Sequence, residues 1–517
     1  MLKKMKTYLL RLKRNEKGNV LPIMAAALIP ILATIGGGVD YARVSLAQAK
    51  LQEAVDSAAL AGRRGMSRDD IETARPHVEA FMNFNFPEAT LGTEPLTLTL
   101  TKPDTGVVRV QADTVLKSTI LRIIGIEDFN ISAVGEATQN LDNVDIVLVL
   151  DTTGSMNESL GGQRKIEALK DAVRSLYEEL EPAQTQLRSQ NLRMRIGVVP
   201  YSSTVNVGKI LRSMDANYVE TQKLTYHHWY RKGNNWHFGE VDYDLTGYAN
   251  GGALGNRNGH DNHQNARWDG CIEERQTVST ITGNDPRNAP PADALDLDID
   301  LFPGWDEGSK WKPYVYDPLN GEPNRNCPSE VTPLDELDLS DIERIVGELK
   351  PEGSTYHDIG MIWGARLISS GGVFGSENPS SYNGRPVNRH IIYMTDGEMS
   401  APIDSCGRTF WGYCYRSTAD HSAAYSGYGI EGYDKRVGGT NTNDNNARHT
   451  KRFLMACNAA KGKNISVWTI AFGTGKVDSL TRCASNDDQA YTVNDSDDLV
   501  DRFAEIGRNI GALRLSE

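Results

Sequence analysis

Two hydrophobic periods divide this chain. Val144 to Leu150 is apolar at every position but Asp145 and ends on Asp151. Such a run suits a strand buried on both faces, as in a parallel sheet covered by helices. Arg195 to Pro200, Arg389 to Thr395 and Ile465 to Phe472 read the same way, and Ala490 to Val493 is a shorter strand. Between them the period changes. Ile166, Leu169, Val173, Leu176 and Leu180 lie on one face of a helix spanning 165–181, and further helices are expected over 358–369, 446–461 and 497–510. This alternation from 142 to 517 predicts an α/β fold with a doubly wound, mostly parallel sheet.

Upstream the pattern differs. Val20 to Val39 carries no charge and matches the roughly 20 residues that cross a bilayer as a helix. Lys3, Lys4, Lys6, Arg11, Lys13, Arg14 and Lys17 precede it within a basic segment, 1–19. A cleaved signal would be shorter and would end in a small-x-small site. One retained span is expected, with the basic end in the cytoplasm and the remaining chain in the periplasm of a bacterium, anchored in the inner membrane. Residues 40–82 continue as helix. Val44, Ala47, Leu51, Val55 and Ala58 form an apolar face that fits either the protein's own small domain or a partner. Residues 83–141 alternate with period two at 96–101, 107–112 and 129–137, around a short helix at 119–124, and read as a small α+β connector.

The segment 205–332 interrupts the α/β pattern and far exceeds the two to six residues usual between such elements. It is rich in Gly, Asn, Tyr and Trp, and its aromatics are expected to form a core of their own. His260 and His263 lie in Gly/Asn-rich sequence with no helix to align their rings, so no transition-metal site is expected there. A net charge of −13 gives no general nucleic-acid surface. The six cysteines lack a Cys-x-x-Cys pair and, outside the cytoplasm, are free to pair. Sequence leaves 15 connectivities open. Among the pairings, Cys271 with Cys327 would tie the insertion, Cys406 and Cys414 flank a short loop, and Cys457 and Cys483 flank one strand.

The chemistry gathers at strand ends. Ligands of open α/β sheets bind beyond the carboxyl ends of the strands. There Asp151, Thr153 and Ser155 offer alternate oxygens on one short loop, the hard donors a divalent cation takes. This stretch resembles the metal-ion-dependent adhesion site of von Willebrand factor A-type domains, Asp-x-Ser-x-Ser, with threonine for the first serine. Gly353-Ser354-Thr355, followed by Gly360, resembles the second loop of that site. Arg389 to Glu398 resembles the strand and third loop of that site, with Asp396 acting through water. The resemblance implies a site of Asp151, Thr153, Ser155, Thr355 and Asp396 holding Mg2+, or Mn2+ or Ca2+. An acidic side chain of a partner would complete the coordination. The amino-terminal segment is similar to the TadE/TadG-like proteins of tight-adherence (Flp) pilus assembly. The matching features are Lys17-Gly18, Pro30, Asp40-x-x-Arg43, and Leu51-Gln52-x-Ala54 before Asp56 to Gly62. Ile23 stands where a prepilin-peptidase substrate carries glutamate, which speaks against cleavage at Gly18.

Enzymatic readings find little support. Phe472-Gly473-Thr474-Gly475-Lys476-Val477 lacks the first glycine and the Ser/Thr of a phosphate loop, so no nucleotide is expected. No Gly-x-Ser-x-Gly elbow is present. The expectation is a membrane-anchored pilus-assembly or adherence protein, not an enzyme. The alternatives are an A-type surface receptor or stress protein unrelated to pili, and a metal-free structural scaffold.

Overall fold

The computed structural model describes residues 20–66, 70–103, 106–138, 142–232, 235–256, 267–315, 326–403, 409–410, 413–414 and 425–512. It divides into two units, Met1–Asn140 with Ala512–Glu517, and Leu141–Gly511.

In the first unit the uncharged run and the amphipathic stretch are one helix, α1 (Val20–Gly65), continuous through Asp40. Pro30 sits inside it, and the Thr34 hydroxyl donates to the Pro30 carbonyl at 2.7 Å. Its amino-terminal half leaves Ile23, Met24, Leu28, Ile31 and Ile35 exposed, and the helix is long and apolar enough to cross a membrane. Its second half buries Ala47, Leu51, Ala54, Val55 and Ala58 in the unit's own core. They meet α2 (Ile71–Asn85) and an antiparallel sheet of β1 (Thr97–Thr101), β2 (Val107–Lys117) and β3 (Asp128–Thr138), in that order. Val108, Val110, Ala112 and Leu116 of β2 supply the other half of this core, as their period of two requires. A Cβ on Gly62 would come within 2.4 Å of Val78, so only glycine lets α1 and α2 pack this closely.

The second unit centres on a sheet of mostly parallel strands. Along its main path lie β4 (Asn143–Asp151), β5 (Met194–Tyr201), β6 (Thr332–Asp335), β7 (Arg385–Thr395), β8 (Ile465–Phe472) and β9 (Ala490–Val493), in the order β6-β5-β4-β7-β8-β9, and Ser381–Tyr382 pairs with β7 off that path. Only β6 on this path runs antiparallel to its neighbour. It is a four-residue edge strand containing Pro333, a residue that edges tolerate because one side of the strand needs no donor. The pattern at the end of the insertion did not reveal it.

Both faces of β4 are covered, which is why its sequence does not alternate. Ile146, Leu148 and Leu150 pack in one core with α3 (Lys165–Ser189), α4 (Leu339–Gly347) and α7 (Ser496–Ala512). Val147 and Val149 pack in another with α5 (His357–Ile368) and α6 (Thr442–Lys461). Helix α3 outlasts its expected end because Gln184 and Leu187 still face the core.

The insertion shares that second core rather than forming one of its own. Tyr226, Tyr243, Tyr248, Trp268 and Trp311 are buried with the sheet residues. The Trp311 ring lies 5.3 Å from that of Trp363 on α5. Buried Arg366 of α5 pairs with Glu274 of the insertion at 3.0 Å. Disulfides join Cys271 to Cys327 and Cys457 to Cys483. His260, His263, Cys406 and the basic residues before Val20 lie outside the described residues.

Candidate metal site

The parallel register fixes the site. Met394 of β7 pairs with Leu150, so Thr395 and Asp396 emerge beside Asp151 at the carboxyl edge. Asp151 is fully buried. Its carboxylate accepts from the Thr153 backbone N–H at 2.8 Å and from the Thr395 hydroxyl at 2.6 Å. Ser155 Oγ donates to Asp396 Oδ1 at 2.7 Å and lies 3.0 Å from Thr153 Oγ1. The second loop is joined through its backbone, with Gly154 N–H donating to the Gly353 carbonyl at 3.0 Å. Thr355 is buried in that loop, and its carbonyl accepts from Ser400 N–H at 2.9 Å. The structure therefore brings together the three loops that carry Asp151, Thr153, Ser155, Thr355 and Asp396. Among the described residues no group of three or more His, Cys, Asp or Glu side chains converges as a metal cluster. The donors here are two carboxylates and three hydroxyls.

Three further residues act on the site. Lys165, at the start of α3, donates to Asp396 Oδ2 at 2.9 Å and lies 3.5 Å from Glu158. Burial would lower its pKa, but the hydrogen bond and charge of Asp396 outweigh burial and raise it. Thr395 bridges Asp151 to buried His357, whose Nε2 is 3.2 Å from the Thr395 hydroxyl. Burial holds that imidazole at about 4 and so neutral. One signal for Lys165 was available: a cation in the first turn of a helix opposes the macrodipole. Thr395 and His357 carried none, since a hydroxyl in a strand and a histidine in a helix usually only pack.

Electrostatics fit a hard cation. Burial raises the Asp151 carboxyl to about 6, and repulsion from Asp396 adds to it. Among the described residues, the Lys165 ammonium is directed at Asp396. A divalent ion held by Asp151, Thr153, Ser155, Thr355 and Asp396 would relieve that repulsion and supply a Lewis-acidic point for an anionic ligand.

Residues 18–67 match the family model described as putative Flp pilus-assembly TadE/G-like. No curated protein matches the chain in sequence. Among solved structures, the chain is similar to the pilus adhesin SpaC of Lactobacillus rhamnosus GG at 13% identity and TM-score 0.33, covering 80% of this chain and 34% of that one. It thus spans about a third of SpaC. The vWF domain of the type V pili tip protein Mfa5 of Porphyromonas gingivalis matches at 11% identity and TM-score 0.33, over 72% of this chain and 96% of that one. The PilB minor pilin of Streptococcus sanguinis matches at 11% identity and TM-score 0.33, over 81% and 78%.

Proposed function

We propose that this protein is a membrane-anchored component of a tight-adherence pilus system. In this reading α1 spans the inner membrane with its basic end in the cytoplasm, and the second unit is a doubly wound A-type domain in the periplasm. That domain binds an acidic side chain of a surface or pilus protein through Mg2+, or a similar divalent ion, and catalyses no reaction. The observation that carries the reading is the convergence of three separate loops on an oxygen-lined edge whose two carboxylates face one ammonium. The TadE/G-like match of 18–67 supports the pilus context.

Within the site, Asp151 brings charge and is held in place by Thr153 N–H and Thr395. Ser155 and Thr153 bring neutral oxygens, and Asp396 orients Ser155. The bound ion would supply the attraction for the partner's carboxylate. One observation favours a second reading, a metal-free scaffold: the Lys165–Asp396 pair already neutralises one charge.

Thermal melting of the full chain in detergent separates the two. A ligand that binds only the folded state stabilises it by about 2.7 kcal/mol at a hundredfold excess over Kd. Melting should rise in Mg2+ or Mn2+ relative to chelator, and Asp151→Ala should remove the increment without unfolding the protein. The same variant should lose pilus display or surface attachment. No metal response in the parent chain establishes the scaffold reading instead.

A further inference from the structure

Asp40 lies just past the uncharged run, and its buried carboxylate anchors a distant turn. Oδ1 accepts from Thr119 N–H at 2.9 Å, and Oδ2 accepts from the N–H groups of Ile120 at 2.9 Å and Leu121 at 2.8 Å and from Ser118 Oγ at 2.9 Å. The turn between β2 and β3, a 3-10 helix at Leu121–Ile124, is thereby fixed beside α1. It packs back along the apolar run. A Cβ on Gly36 would lie 2.2 Å from Ile120 Cγ2, and one on Gly37 would lie 3.7 Å from Leu121. Gly36 is one helical turn before Asp40, about 6 Å along the axis. The turn therefore reaches back alongside the last part of the uncharged segment.

Its tip is apolar and unpartnered within the unit. Ile123 is 80% exposed, Ile124 49% and Ile126 41%. Single exposed isoleucines are ordinary. Three on one turn, on a loop whose Ile120 and Leu121 lie against Gly36 and Gly37 of the uncharged run, form a patch that marks an interface. The backbone is prepared for a low-dielectric setting. Besides the donors bound by Asp40, Arg122 N–H is taken by Ser118 Oγ, Ile123 N–H by Ile120 O, Gly125 N–H by Arg122 O and Ile126 N–H by Leu121 O. Gly125 closes the turn at φ 91°, where a side chain would be strained. Arg122 projects from the same turn, and Arg43, one turn beyond Asp40, donates to the carbonyls of Lys117 and Leu91. Cations thus flank the patch on one side, as they do at membrane interfaces, and exposed Glu127 and Asp128 follow it on the other.

We infer that the Ile120–Ile126 turn is a second membrane contact, entering the boundary between headgroups and acyl chains beside α1. The inference rests on the reading of α1 as a membrane span. The occupant is lipid because the turn lies at the level of Gly36 and Gly37, inside the uncharged segment that this reading places in the membrane. Its depth is shallow, since irregular backbone is not carried into the hydrocarbon centre.

Depth-dependent quenching tests this on the full chain in liposomes of equal parts phosphatidylcholine and phosphatidylglycerol. A nitrobenzoxadiazole fluorophore is placed at Ile123→Cys, at Ile31→Cys within the span, and at Val134→Cys on β3. Unmodified protein labelled in parallel supplies the background from native cysteines. Ile123→Cys should be quenched at least twofold by nitroxides near the headgroup and less by nitroxides deep on the chain. Ile31→Cys should show the opposite order, and Val134→Cys neither. Quenching at residue 31 without quenching at 123 overturns the loop contact and leaves the span intact. Absence of quenching at 31 overturns the span, and the loop contact with it. Blue-shifted emission at 123 that no lipid nitroxide quenches means another protein chain covers the patch, which also overturns the lipid assignment.

Discussion

Lys165 and Asp396 define the balance at the candidate site. The Asp396 side chain is fully buried and Lys165 is almost so. Removing one member of such a pair leaves an uncompensated charge and costs about 3–5 kcal/mol. Lys165→Met should therefore destabilise the protein by roughly that amount in chelator. Because the two carboxylates then lack any counter-charge, Mg2+ should recover most of the loss, and the Mg2+ increment in denaturation midpoint should exceed that of the parent chain. A Lys165→Met variant equally unstable with and without Mg2+ would show that Lys165 serves packing alone. At this scale the strand-end oxygens were legible, because Asp151, Thr153, Ser155 and Asp396 follow apolar strands directly. Lys165 was not. It meets Asp396 across 231 residues of sequence, and no local pattern encodes such a pairing.

Helix α1 shows how one residue sets an element's surroundings. The Asp40 carboxylate accepts from three consecutive backbone N–H groups of a turn about 80 residues away. Burial alone would raise its pKa, but these hydrogen bonds and Ser118 hold it well below the usual carboxylate range. Asp40→Ala leaves those donors without a partner, and each unmet buried donor costs about 1–3 kcal/mol. The loss should be on the order of 3 kcal/mol in the first unit, with amide exchange accelerated selectively at Thr119, Ile120 and Leu121. Unchanged exchange there would mean that Ile120 packing on Gly36 fixes the turn by itself. The helix was legible from its uncharged run and apolar face. The sequence left open whether Ala47, Leu51 and Val55 met a partner. The β1–β3 sheet decided this, since its own period-two face needed covering.

Across the second unit, a buried ionic network ties the insertion to the sheet's helices. His449 of α6 lies 2.7 Å from Asp358 of α5 and 3.1 Å from Glu431. Arg452 pairs with Asp296 of the insertion and lies 3.7 Å from Asp358. Burial would lower the His449 pKa, but the two carboxylates outweigh it and raise the group to about 9. A histidine raised in the folded state binds a proton there that the unfolded chain gives up near pH 6.5, approximately. Its stabilisation is thus complete below about pH 6.5 and fades as pH climbs through the folded value. Chemical denaturation should show a loss on the order of 3 kcal/mol between those limits, and His449→Gln should flatten the slope. A parent chain of constant stability across that range would mean the imidazole is neutral when folded. A disulfide within the insertion supplies a separate test. Cys271 and Cys327 close a loop with a sequence separation of 56, for which chain entropy gives about 4 kcal/mol. Cys271→Ser with Cys327→Ser should make the insertion the first site of limited proteolysis.

By itself the sequence determined whatever depends on near neighbours. Unbroken apolar runs require burial on both faces, three- and four-residue spacing makes helices, and a carboxylate ending a strand projects at the sheet's edge. Most of the strands and helices followed from these, and so did the placing of Asp151, Thr153 and Ser155 at a strand's end, whereas Thr355 and Asp396 came from the family resemblance. Only the tertiary structure decided which distant groups meet. Trp311 packs on Trp363, Glu274 accepts from Arg366, Lys165 caps Asp396, and Asp40 holds the Ile120 turn. The physical reason is common to all four. A buried charge or ring needs a complementary surface, and many residues could have supplied it. The choice is made by the packing of elements far apart in the chain, which no periodicity records.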